Sequence, residues 1–238
     1  MTSTSKNARI AGFLYLLLVF VGPLRLMYIP STLFVHGNAA ATANNIAAHE
    51  TLFRLGIAGD LFCGTILIFI TLALYRLFKG VDQYLAVLVV ILGGILPAAI
   101  DFFIVLNDAA ALILVRGADF LSVFDKPQRE ALAMLFLRMH DQEILAAEIF
   151  WGLWLIPLGM LVYRSRFLPR FLGVWLILNG FAYLAHSITG LLLPNYANAV
   201  GNFTFPVLTG EVAFVLWLLI KGAKEQPSDV GALSSATG

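Results

Sequence analysis

The sequence predicts an all-α polytopic membrane protein, a bundle of six spans with both termini cytoplasmic and short interfacial helices outside. Three observations carry that prediction. The 238 residues are 60% hydrophobic and only 12% charged, against about 25% charged in soluble domains. Several stretches run beyond the roughly 18 nearly uncharged residues that a bilayer-crossing helix needs. The basic residues also recur at alternate connections, which fixes an even number of spans.

Span 1 is expected over residues 8–29, after a short polar start carrying Lys6 and Arg9. Its apolar run is longer than the roughly 7–15 residues of a signal-peptide core, so it reads as a span. Residues 30–50 hold no Lys or Arg and form an external loop, with an alanine-rich interfacial helix over 38–49. Span 2 is expected over 52–78, closed by Arg76, Lys79 and Gly80. Span 3, over 83–115, would be about 50 Å of helix against a roughly 30 Å hydrocarbon core. Gly93, Gly94 and Pro97 are therefore expected to kink it, or its end to project.

Residues 116–141 read as external. Asp125 and Gln128, with Pro127 between them, give a helix-start signal. The helix that follows should lie at the interface on Leu132, Leu135, Phe136 and Met139, then bend into span 4. Spans 4 and 5, over 143–163 and 167–188, form a hairpin whose turn holds Arg164, Arg166 and Arg170. After an uncharged external loop over 193–202 comes span 6, over 203–220. Residues 1–222 then make one domain, and 223–238, rich in Ser, Gly and Ala, a disordered cytoplasmic tail.

A charge at membrane depth costs at least about 2.5 kcal/mol on insertion scales, so each one asks for a reason. Arg25, Arg54, Asp60, Asp101, Glu148, His186 and Glu211 all fall in the half of their spans away from the basic turns. Asp101 and Asp108 are seven apart, on one helix face; Asn179, Tyr183 and His186 form a stripe at i, i+4, i+7. The economical arrangement turns these faces toward a common cavity open to the outside. Arg25 and Arg54 would anchor carboxylates there, and Asp60, Asp101, Glu148 and Glu211 would supply the remaining negative field. Two arginines do not balance four acids, so such a site would take up a proton or a cation.

Each of these residues also has a plainer reading. Arg25 with a carboxylate, or Arg54 with Asp60, can be an ion pair that joins helices. Cys63, the single cysteine, reads as a small buried apolar residue. Signals for catalysis are thin: HExxH, GxSxG and glycine-rich phosphate loops are absent. Glu148, His186 and Glu211 are the one set that could converge as metal ligands, from three separate helices. No cofactor is expected, and a net charge of +1 suggests no nucleic-acid partner.

Several stretches resemble a bacterial membrane family catalogued as domain of unknown function 4386. They are residues 8–15 (ARIAGFLY), 38–46 (NAAATANNI), 52–56 (LFRLG), 168–174 (LPRFLGV), Gly210-Glu211 and 217–222 (WLLIKG). The resemblance covers nearly the whole chain. It implies a compact bacterial inner-membrane protein of six to seven spans and no stated activity, with Arg54, Asp60 and Glu211 in the family pattern. Members often carry Asp where this chain has Asn38.

The resulting expectation is a non-enzymatic protein of the bilayer. Its outward polar cavity would bind or conduct a cation, a polar small molecule or a lipid headgroup. The ligand-contacting set would be Arg25, Arg54, Asp60, Asp101, Glu148, Asn179, Tyr183, His186 and Glu211. The alternatives are a membrane-embedded metal-dependent hydrolase and a structural or assembly subunit whose charges only pair helices.

Overall fold

The computed structural model describes residues 3–224. Among them six helices are long and apolar enough to cross a membrane: Thr4–Leu33, Glu50–Phe78, Gln83–Arg116, Lys126–Arg164, Arg170–Leu192 and Pro194–Ile220. A seventh helix, Ala39–Ala48, connects spans 1 and 2. Asn38 caps it by accepting the Ala41 N–H at 2.9 Å. Asn and Asp serve about equally as N-caps, so an Asp at this position needs no further role. Residues 225–238, most of the expected disordered tail, lie outside the described residues; Lys224 still donates its N–H to the Phe167 carbonyl.

Span 1 does not end before Pro30. It is α-helical over Ser3–Pro23, widens to a π-turn over Leu24–Tyr28 and resumes over Ile29–Leu33. Span 3 repeats the device, with a π-turn over Ile91–Ile95 ahead of Pro97. The cause is common to both. A helical proline has no N–H and its ring presses on the carbonyl four residues back. Those carbonyls belong to Leu26 and Gly93, each inside a π-turn. The expected disturbance at Gly93, Gly94 and Pro97 is thus a widened turn.

Two further boundaries differ from expectation. The expected interfacial helix and span 4 are one helix, Lys126–Arg164, of 39 residues, about 58 Å long. Its start is the predicted capping box of Asp125 and Gln128. Nothing after it stops the helix: Gly152 and Pro157 come late, and what precedes them is mostly Ala, Leu, Met, Glu and Arg, which favour helix. The loop expected at 193–202 is largely helical, and span 6 is broken instead at Phe205–Leu208, a 3-10 turn around Pro206. The α-helix resumes at Thr209–Ile220.

Spans 4 and 5 pack most extensively, along a seam of glycines. A Cβ on Gly152 would meet the Gly180 carbonyl oxygen at 2.6 Å, and one on Gly159 the Gly173 carbonyl at 2.5 Å. Such contacts let two helix backbones touch. The apolar interior falls into two parts. One joins Tyr15, Ile70, Phe78, Val89, Leu158, Leu172 and Phe214, in the half nearer the basic ends. The other joins Ile29, Ile46, Phe53, Ala111 and Leu137, at the opposite end. Between them, along spans 1 to 4, lies a layer of buried polar side chains: Arg25, Asp60, Asp101, Asn107, Asp108, His140 and Glu148.

Candidate functional site

Arg25 sits on the π-turn of span 1, and the turn aims it inward: it is 6% exposed while Leu24, Leu26 and Met27 beside it are exposed. Its Nη1 donates to Oδ1 of Asp60 on span 2 and lies 3.4 Å from Oδ1 of Asp101 on span 3. Both carboxylates are 2% exposed. The guanidinium also stands over the Trp151 ring, 5.9 Å from its centroid. Burying charges is costly unless pairing and hydrogen bonds compensate. Here compensation is partial: Arg25 Nε and both Asp101 oxygens lack a hydrogen-bond partner among the described residues. One guanidinium faces two carboxylates, so the triad carries excess negative charge when both are ionised.

Glu211 is placed by the break in span 6. Breaking the helix frees backbone carbonyls, and span 5 supplies the donors that satisfy them. Trp175 Nε1 donates to the Val207 carbonyl at 3.0 Å. Asn179, fully buried, can with its amide turned to suit both partners donate to Val207 O and accept the Glu211 N–H at 3.1 Å. Glu211 therefore enters the first turn of Thr209–Ile220 with a fixed direction. Its carboxylate accepts the hydroxyl hydrogens of Tyr15 on span 1 and Tyr183 on span 5. Among the described residues it makes no ion pair with Lys, Arg or His.

Arg25 and Glu211 both line one cavity of about 270 Å³. Its walls are otherwise apolar and aromatic, from Leu18, Val19 and Gly22 on span 1, Leu67 on span 2, and Trp151 and Trp154 on span 4, with Tyr15 and Tyr183 beside Glu211. The rings brace one another. Tyr15 and Trp154 stand 5.8 Å apart, and Trp151 meets Tyr183 edge-on at 5.9 Å.

Other predicted polar residues form separate pairs. Glu148 binds His186 Nδ1 at 2.6 Å across the span 4–span 5 seam. Asp108 holds His140 at 2.9 Å, and Asn107 donates to Glu143 at 2.8 Å. Arg54 does not join the interior. It is exposed and pairs with Glu50 at 2.7 Å, one turn away, so its expected partnership with Asp60 is replaced by Arg25. The three-ligand set Glu148, His186 and Glu211 is likewise not assembled: Glu211 is held by tyrosines. Among the described residues no group of three or more metal-binding side chains stands together. Sequence reading left Tyr15, Trp151, Trp154 and Gly22 unnoticed. A signal was present on span 1: stepping back from Arg25 by three, seven and ten residues reaches Gly22, Leu18 and Tyr15, one helix face.

Residues 10–222 match the family described as "Domain of unknown function (DUF4386)". The chain belongs to that family. An uncharacterized protein of Archaeoglobus fulgidus is 40% identical over 76 residues, which span 32% of this chain and 44% of that protein. No solved structure matches. Membership of DUF4386 agrees with a multi-pass helical membrane protein and brings no assigned activity.

Proposed function

We propose that this DUF4386 chain is a non-enzymatic binding protein of the cytoplasmic membrane, and that its interior cavity takes a positively charged ligand. The observation that carries the reading is Glu211, a carboxylate facing a cavity with tyrosine donors but no basic partner. The wider charge balance agrees: Arg25 alone stands against Asp60, Asp101 and Glu211. A cation in the cavity would offset that excess at low dielectric, where Coulomb terms are large. The orientation that suits the reading puts both termini and the basic connections inside, following the distribution of Lys and Arg.

The test is thermal unfolding of the purified protein with potassium, magnesium or tetramethylammonium, in wild type and Glu211→Gln. A ligand at a hundredfold its Kd adds about 2.7 kcal/mol to stability. At least one cation should stabilise the wild type, and the effect should vanish in the variant, which keeps an acceptor for both tyrosines. No shift with any of them would overturn the reading. A variant that unfolds outright, with a wild type indifferent to cations, would assign Glu211 to helix pairing alone.

A further inference from the structure

The cavity's walls say more than its charge. We infer that the ligand is a small organic ammonium with an apolar body, and that it enters sideways from the bilayer between spans 1 and 6. This rests on the cation-binding reading and narrows it.

The first argument is the donor set. A bare metal cation replaces its hydration shell with some six or more oxygens at about 2.0–2.6 Å. Beside Glu211 the cavity offers only the hydroxyls of Tyr15 and Tyr183. An organic ammonium asks for less: one carboxylate and the faces of aromatic rings. Trp151 and Trp154 stand beside Glu211's two tyrosines in the same lining, and Trp151 already receives the Arg25 guanidinium at 5.9 Å. Arg25 itself would repel an ammonium. Yet it is tied to Asp60 and Asp101, and it lies ten residues from Tyr15 along span 1, roughly 15 Å. The charged head thus belongs at the Glu211 end.

The second argument is the mouth. Leu26, Met27 and Val212 line the cavity and are also 37%, 60% and 41% exposed on the outer surface of the bundle. They are apolar and come from two spans, so the opening faces lipid. A molecule that reaches this door is one that partitions into the bilayer. The volume, about 270 Å³, lies at the small end of the roughly 300–1,000 Å³ typical of ligand pockets.

Gly22 supplies a clean test. It lines the cavity, and a Cβ there meets nothing within 4 Å. Gly22→Leu should therefore fold while filling the space. Hexylammonium, hexanol, potassium and magnesium would each be titrated into the protein in lipid nanodiscs, following tryptophan fluorescence and thermal unfolding. Hexylammonium should bind saturably, and at least tenfold more tightly than hexanol. Gly22→Leu and Glu211→Gln should each weaken it by about tenfold or more, while Glu50→Gln, on the surface, should not. Potassium or magnesium binding through Glu211 without hexylammonium binding would overturn this inference and leave the cation reading intact. Hexanol matching hexylammonium, with Glu211→Gln indifferent, would overturn both, as would no binding by any probe.

Discussion

Remove the guanidinium of Arg25 and two carboxylates, each 2% exposed, lose their cation. Stripping one partner from a buried ionic cluster costs about 3–5 kcal/mol. Arg25→Leu should therefore unfold at markedly lower denaturant or temperature than wild type. Changing Asp60→Asn in the same chain should recover part of the loss, because one orphaned charge is gone. Equal melting of Arg25→Leu and wild type would show that the triad is neutralised by something other than Arg25. At this scale the sequence spoke clearly about need and poorly about pairing. Arg25, Asp60, Asp101 and Glu211 each stood out because charge at membrane depth is expensive. Which acid Arg25 meets depends on helix rotation and on a π-turn. A π-turn adds a fraction of a turn to the helix and leaves almost no mark on hydrophobic periodicity. Arg54 misled for the opposite reason: one turn from the end of span 2, it lies where side chains reach water and a neighbouring Glu50.

The glycine seam between spans 4 and 5 makes the element-scale prediction. Gly152 and Gly159 are seven apart on span 4, Gly173 and Gly180 seven apart on span 5, and they meet in antiparallel register. A side chain at Gly159 would run into the Gly173 carbonyl, which is backbone and cannot swing aside. Gly159→Leu should cost about 1–3 kcal/mol or more from overpacking. It should also pull apart the Glu148–His186 pair that bridges the same seam. Gly80→Leu, where a Cβ meets nothing within 4 Å, is the matched control. A Gly159→Leu protein as stable as that control would mean the two spans do not pack through their glycines. The heptad spacing was readable in the sequence, but only with the partner helix already known. Span 6 shows the reverse case. Pro206 was visible, yet its effect was set by Trp175 and Asn179 on another helix, which capture the carbonyls that the break releases.

At the scale of the whole molecule, the charges at the two ends of the bundle argue for one orientation. The ends of the spans carrying Lys6, Arg9, Arg76, Lys79, Arg164, Arg166 and Lys221 meet on one side. There Arg164 pairs with Asp82, and the Lys224 N–H reaches Phe167. The other side holds the helix Ala39–Ala48 and the projecting start of span 4. Short loops rich in Lys and Arg resist translocation, so the first side should be cytoplasmic. Single cysteines decide it, in a background where the native Cys63 is fully buried. Cysteine at Asn38 or Asn198 should react in intact cells with a membrane-impermeant maleimide. Cysteine at Lys79 or Arg166 should react only after the membrane is opened; Ser165, 1% exposed, would be silent from either side. Labelling of Arg166→Cys in intact cells would reverse the orientation. It would leave the fold untouched, because the bundle's packing depends on the apolar halves and the polar layer between them. Those interactions are the same whichever way the bundle faces.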